Sequence, residues 1–241
     1  MATTRSQFTL IVGRMQSLYR QRAVATFCAL GFASFACAMM VAGRIYFTGR
    51  MTYGFLLWNL LLAWVPFLIS FSLYQFKIHN RSRVATAIAG LAWLAFFPNA
   101  PYIVTDFIHL RTTVSAPLWF DAIMIALFAW TGLTMGLISL RMMQSLVRNR
   151  FGKATGWIFA LAVLCLSSYG VYLGRFERWN SWDILTNPAA LSHSVLSQIL
   201  NPFSSLRSIG VTLLFATFLT VTYFMTSTLL ARNVDAGEHE F

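Results

Sequence analysis

The sequence predicts an all-α integral membrane protein built as a bundle of six transmembrane helices. Composition is the first reason: of 241 residues, 58% are hydrophobic and only 10% are charged. A soluble domain carries roughly 25% charged residues, so this chain has too little charge to cover a surface that faces water. The second reason is a series of long apolar stretches, and the third is the distribution of lysine and arginine between them.

Each apolar stretch is a candidate span. The six stretches are residues 23–42, 53–76, 84–97, 118–140, 154–173 and 208–230. Five of them approach the roughly 20 residues that cross a bilayer core as a helix. The third is shorter and runs into Pro98 and Pro101. A short helix capped by Asn99 is therefore expected after span three, and whether the prolines break that span stays open.

Lysine and arginine predict the orientation. With the amino end in the cytoplasm, twelve of these residues lie in cytoplasmic segments and six in outer ones. Because positive charge accumulates on the inner side, both termini are expected in the cytoplasm. This topology divides the chain into a basic cytoplasmic segment 1–22, a six-span domain 23–230 and an acidic cytoplasmic tail 231–241.

The long outer loop before span six contains a predicted interfacial helix. Asn187 and Pro188 form a helix start, and Asn201-Pro202 forms a stop. Between them, apolar residues recur at helical spacing: Leu191, Val195, Leu196, Ile199 and Leu200. This amphipathic pattern is typical of a helix that lies at a membrane surface.

The net charge of +11 does not indicate nucleic-acid binding. The cations lie between apolar segments, where they orient the chain, and no nucleic-acid-binding motif accompanies them. Membrane lipids are the expected partners. The three cysteines lie inside apolar stretches, so they argue against a disulfide framework.

Three pairs of glycines have the spacing that lets helices approach closely in lipid. They are Gly132 with Gly136, Gly152 with Gly156, and Gly170 with Gly174. Contacts within the bundle are the first interpretation. A homo-oligomer formed through these faces is the second.

The acidic residues are concentrated on one side. Outside the tail, the only ones are Asp106, Asp121, Glu177 and Asp183, and the predicted topology places all four at the outer face. Ionised groups at membrane depth are costly and usually mark a functional surface. We therefore expect the working or binding surface of the protein there.

The first candidate site lies after span three. If residues 101–110 are helical, Tyr102, Asp106 and His109 share one face, because they are spaced i, i+4 and i+7. Asp121, near the outer end of span four, is expected to join them. Asp106, His109 and Asp121 are thus candidates for acid–base catalysis or for binding a divalent metal ion such as zinc. The sequence does not identify the cofactor.

The second candidate site follows span five, in residues 172–183. Two tryptophans in it are typical of interface anchors, and four charged residues form a dense cluster. With two residues of the first site, this segment supplies the predicted substrate-binding side chains: Asn99, Tyr102, Arg175, Glu177, Arg178, Trp179, Asn180, Trp182 and Asp183.

Two segments carry a resemblance to a known family. FPNAPYIVTDFIHL (97–110) and YLGRFERWNSWD (172–183), set among six spans, resemble the bacterial membrane-protein family labelled domain of unknown function 1361. The likeness covers most of the chain from about the second span to the sixth. The resemblance implies a bacterial integral membrane protein, hence one of the inner membrane, and it assigns no catalytic residue.

Three interpretations of the outer polar cluster follow. The first is a structural or binding role, because charges paired near an interface can hold loops together. The second is a membrane enzyme acting on a lipid-linked or periplasmic substrate. The third is an ion or small-solute transporter. It is weakened by the lack of acids or histidines deep in other spans and of internal repeats.

Overall fold

The structure is a computed structural model that describes residues 2–75, 82–110, 117–200 and 206–237. Within these ranges the chain is helical and contains no strand. The helices are α1 (Ala2–Thr48), α2 (Phe55–Gln75), α3 (Arg83–Phe96), α4 (Asn99–Tyr102), α5 (Leu118–Phe151), α6 (Lys153–Tyr172), α7 (Asp183–Thr186), α8 (Pro188–Leu200) and α9 (Leu206–Gly237). A 3-10 helix, Ile103–His109, follows α4, and a π-helical turn, Leu173–Glu177, follows α6.

Six helical segments are long and apolar enough to cross a membrane, which confirms the predicted fold class. They are Ala23–Thr48, Phe55–Gln75, Arg83–His109, Leu118–Phe151, Lys153–Glu177 and Leu206–Leu229. The centre of the bundle is α5, since 67% of the residues in its most apolar 18-residue stretch are buried, against 11% for α9. The predicted spans lie within these segments or differ from them by one or two residues at an end.

Span three is longer than predicted. It was expected to end at residue 97, but the helical path continues through α4 and the 3-10 helix to His109, 27 residues in all. The prolines do not break it, because Phe97 (φ −56°, ψ −39°) and Pro98 (φ −59°, ψ −23°) both have helical dihedral angles. Proline is compatible with such a φ, and what it removes is a backbone donor.

Asn99 replaces one of the lost backbone interactions. Pro101 has no N–H to give to the carbonyl of Phe97, so the N–H of Ala100 bonds there instead, at 3.2 Å. This shift leaves the carbonyl of Phe96 without its usual donor, and the side-chain amide of Asn99 donates to it at 2.9 Å. The prediction that Asn99 is an N-cap was wrong: its amide completes the preceding turn.

Glycines in α5 and α6 pack closely against the segment from Pro98 to Pro101, called the proline segment below. A Cβ at Gly132 would lie 2.9 Å from the carbonyl oxygen of Ala100, and one at Gly170 would lie 2.8 Å from Cγ of Pro98. No side chain fits in such gaps, so these glycines let α4 lie directly between α5 and α6. The two faces are therefore in use within the bundle. The homo-oligomer stays a prediction.

The helix predicted in the long loop is present as α8 (Pro188–Leu200), and its position at a membrane surface stays a prediction. The expected stop at Asn201-Pro202 falls outside the described residues. The short α7 that precedes α8 was not predicted. At the amino end, the backbone of the basic segment continues helically into span one as part of α1. The last four residues of the acidic tail, 238–241, also lie outside the described residues.

Candidate functional site

The four acidic residues lie at one end of the bundle, the end where α1 finishes and α2 begins. Asp106 belongs to the 3-10 helix, Asp121 to the first turn of α5, Glu177 to the π-helical turn and Asp183 to the first turn of α7. They do not form a single cluster. Asp106 and Asp121 each belong to a separate buried ion pair, whereas Glu177 and Asp183 bond to nearby residues of their own segment.

Arg175 is the centre of the first ion pair. Its Nε donates to Oγ1 of Thr105 at 2.7 Å, and one Nη donates to Oδ1 of Asp106. The other Nη lies 2.9 Å from Nε2 of His109. A guanidinium can only donate, so this histidine nitrogen accepts and the imidazole is neutral in this arrangement. Three neighbouring polar residues thus converge on one arginine.

Two further side chains enclose this cluster. The ring of Tyr102 lies under the guanidinium of Arg175, 4.3 Å from Cζ to the ring centroid, a cation–π geometry. Nδ2 of Asn59, on α2, donates to the second carboxylate oxygen of Asp106 at 2.8 Å. Side-chain exposure is 10% for Arg175 and 1% for Asp106. We call Asn59, Tyr102, Thr105, Asp106, His109 and Arg175 the Arg175 cluster.

The local conformation explains how this cluster forms. In a 3-10 helix, residues three apart lie on one face, which places Asp106 above His109. The π-helical turn projects Arg175 towards them, and Gly174 allows the approach, since a Cβ there would lie 3.2 Å from the ring of Tyr102. The structure therefore brings together Tyr102, Asp106 and His109, as the spacing predicted, and adds Arg175 as their common contact.

The second ion pair joins spans one and four. Nε and Nη2 of Arg44 donate to the two carboxylate oxygens of Asp121 at 2.7 and 3.0 Å, a bidentate contact. The side chains are 2% and 0% exposed. Tyr53 connects the two centres, because its ring lies 4.5 Å from Cζ of Arg44 and its hydroxyl donates to the backbone carbonyl of His109.

The predicted three-ligand metal site is not formed. Among the residues that the structure describes, no group of three His, Cys, Asp or Glu side chains could hold a metal ion. Asp121 is bound by Arg44, and Asp106 and His109 are bound by Arg175. A metal ligand needs a lone pair directed at the ion, and these side chains accept from guanidinium and amide donors instead.

The charged residues after span five form local contacts. Glu177 accepts a bond from the hydroxyl of Tyr172 at 3.1 Å, and Asp183 accepts one from the N–H of Asn180 at 2.7 Å. Arg178 ends the π-helical turn in the left-handed conformation, with φ 61°. The carboxylates of Glu177 and Asp183 and the backbone turn at Arg178 therefore shape the loop. Of the predicted substrate-binding set, Arg175 and Tyr102 belong to the cluster, while Trp182, at 37% exposed, lies at the surface.

A groove of about 540 Å³ lies beside the cluster, between α2, α3, α4, α6 and the loop before α8. Asn59 and Tyr102 form the wall between the groove and the buried carboxylate of Asp106. Predicted binding residues in its lining also include Asn99, whose Nδ2 donates to Oγ of Ser181 at 2.9 Å, together with Trp179 and Asn180. Several predicted substrate-binding residues thus share one groove.

Sequence reasoning missed four important residues. Arg44 was counted only as an orientation signal, and Asn59, Thr105 and Ser167 were not singled out; Ser167 lines the groove, and its hydroxyl has no hydrogen-bond partner among the described residues. Arg44 pairs with a carboxylate 77 positions away, a separation that no local spacing reveals. The position of Arg44 beside an apolar span could have indicated a buried ion pair, because an arginine that is buried there needs a partner.

The comparisons with known proteins point to one family. The family described as "Protein of unknown function (DUF1361)" matches residues 58–222, which include the Arg175 cluster and all the described residues that line the groove. No curated protein and no solved structure matches the chain. Since the match covers more than half of the sequence, the chain belongs to the DUF1361 family of proteins of unknown function.

Proposed function

We propose that this membrane protein has a structural and binding role at the outer face, in which the Arg175 cluster holds a binding groove in shape. The observation that supports this most is that all three guanidinium nitrogens of Arg175 are engaged, by Thr105, Asp106 and His109, while the guanidinium covers the ring of Tyr102. Charges that are paired and buried in this way serve the architecture of a site. A reacting group needs access to its substrate.

The cluster joins three spans at the edge of the groove. Asp106 comes from span three, Arg175 from span five, and Asn59 from span two. Removing one member of a buried ion pair costs about 3–5 kcal/mol, because the other charge stays buried without a partner. Loss of Arg175 is therefore expected to separate the helices that form the groove wall.

The enzyme interpretation requires a group that is free to react. Asp106, His109 and Asp121 are occupied by arginines, which favours the structural role over acid–base or zinc chemistry. Metal analysis of the purified protein tests this choice directly. A stoichiometric divalent metal that is lost in His109→Ala would support the enzyme interpretation instead.

We also propose that the protein lies in the bacterial inner membrane with both termini in the cytoplasm. The support is the excess of lysine and arginine in the segments placed inside. In this orientation the Arg175 cluster lies at the periplasmic end of the bundle, residues 1–22 are a basic cytoplasmic segment and residues 231–241 are an acidic cytoplasmic tail. A periplasm-dependent reporter fused to the carboxyl end would be inactive, and activity there would contradict the topology.

Arg175→Ala tests the structural role. We expect loss of expression or a clearly lower melting temperature in detergent, because the carboxylate of Asp106 would be left buried and unpaired. Arg178→Ala is the matched control, since Arg178 is exposed and lies three residues away. If Arg175→Ala expresses and melts like the parent, the cluster does not hold the bundle and the proposal fails.

A further inference from the structure

We propose that the groove binds an uncharged lipid with hydroxyl groups on its head, such as an acylglycerol. The acyl chain would lie along the apolar wall, and the head would lie against Ser167, Asn59 and Tyr102. This inference deepens the proposed binding role and rests on it. Three independent features of the groove support it: its opening towards lipid, an unsatisfied hydroxyl in its wall, and the lack of charged side chains among the described residues that line it.

The groove opens on the side of the bundle that faces lipid. Leu91 on α3 and Trp58 on α2 line it, and they are 68% and 53% exposed although they belong to spans. Ile184, at 44% exposed, lines it from the loop side. Large exposed apolar side chains on a transmembrane helix face acyl chains. A molecule already dissolved in the bilayer can therefore enter from the side without crossing water.

Ser167 supplies the unsatisfied hydroxyl. It lines the groove, is 1% exposed, and its Oγ has no hydrogen-bond partner among the described residues. Its neighbour Ser168 shows the usual solution in a transmembrane helix, donating to the carbonyl of Leu164 at 2.8 Å. A buried polar group without a partner is costly and calls for an explanation. A hydroxyl on a bound head group would supply the missing bond.

The polar part of the groove is neutral. Of the residues that line it within the described ranges, none is charged, and the polar ones are Asn59, Asn99, Tyr102, Ser167, Trp179, Asn180 and Ser181. Asp106 and Arg175 lie behind this wall, already paired with each other. An ionised head group would lose its hydration here and gain no counter-charge, whereas hydroxyls match amides and hydroxyls. The neutral lining therefore favours an uncharged head group over the head groups of the common anionic lipids.

The test uses three lipid probes that share the same unsaturated hydrocarbon chain and differ in the head group. They are monooleoylglycerol, oleate and oleylamine, the last two in their ionised forms. Purified full-length protein in detergent is incubated with each, and bound lipid is counted by native mass spectrometry. We expect saturable binding of one monooleoylglycerol and much weaker binding of the two ions. Equal binding of all three probes would overturn the proposal, because it would show adsorption to the apolar surface only.

Two pairs of variants locate the binding. Ser167→Ala is expected to weaken binding roughly two- to tenfold, as for one lost hydrogen bond, whereas Ser168→Ala, which removes a hydroxyl already bonded within its own helix, should not. Leu91→Trp should block the mouth of the groove. Ile88→Trp, at a site 62% exposed on the same helix and outside the lining, should leave binding unchanged.

The outcomes separate this inference from the proposed function. If both tryptophan variants bind lipid as the parent does, the groove is not the site and the inference fails, whatever Arg175→Ala does to stability. If lipid binding follows the predictions while Arg175→Ala melts like the parent, the ligand assignment stands and the structural role of the Arg175 cluster fails.

Discussion

Replacement of Gly170 by alanine tests how tightly the proline segment is held between α5 and α6. The added Cβ would lie 2.8 Å from Cγ and 3.0 Å from Cβ of Pro98. Ordinary carbon contacts are near 3.5–4.0 Å, and a proline ring cannot rotate away as the tip of a flexible side chain can. Overpacking of this kind costs about 1–3 kcal/mol. It opposes a gain of up to about 1 kcal/mol from exchanging glycine for alanine in a helix.

Gly90→Ala is the matched control. A Cβ at Gly90, in the middle of α3, would meet nothing within 4 Å, so only the favourable helix term remains. In a single detergent, the free energy of unfolding should therefore fall by a net of up to about 2 kcal/mol in Gly170→Ala. In Gly90→Ala it should stay unchanged or rise. Gly170→Ala melting at or above the parent would refute the close packing of α4 against α6.

Two other substitutions test contacts elsewhere in the bundle. Arg44→Leu should destabilise the protein by about 3–5 kcal/mol because it leaves Asp121 buried and unpaired, and the pair would be unimportant if melting were unchanged. Ser139→Ala should cost about 1–3 kcal/mol. Its hydroxyl accepts from the indole of Trp93 at 2.7 Å and donates to a carbonyl of α2, so two buried groups lose a partner. Ser168→Ala, whose hydroxyl bonds only to its own helix, should cost less, and equal losses would contradict the bridging role.

Features with a local cause were predictable. Six spans follow from apolar length, and α8 follows from Asn187-Pro188 and the apolar residues at helical spacing after it. The path of span three was not predictable, because prolines at positions 98 and 101 favour a break unless something replaces the missing hydrogen bonds. The amide of Asn99 supplies one replacement bond, and the glycines of α5 and α6 give the segment room to pack, an effect that depends on neighbours distant in sequence.

Only part of the candidate site was predictable, because only some of its contacts join residues that are close in sequence. Tyr102, Asp106 and His109 lie together because they are neighbours on one helical segment, and that follows from spacing. Arg175 was predicted to belong to the site but not to bind Asp106, 69 positions away. Asp121 was grouped with Asp106 because both lie at the same depth. Depth does not decide which arginine each carboxylate faces.

A double-mutant cycle on Arg175 and Asp106 tests the central claim most directly. Arg175→Met and Asp106→Leu are each expected to lower stability by about 3–5 kcal/mol, because each leaves the other charge buried and unpaired. The double variant, with both charges removed, should recover much of that loss, giving a coupling energy well above the roughly 0.5 kcal/mol scatter of independent sites. Losses that simply add in the double variant would contradict the claim that this ion pair holds the end of the bundle together.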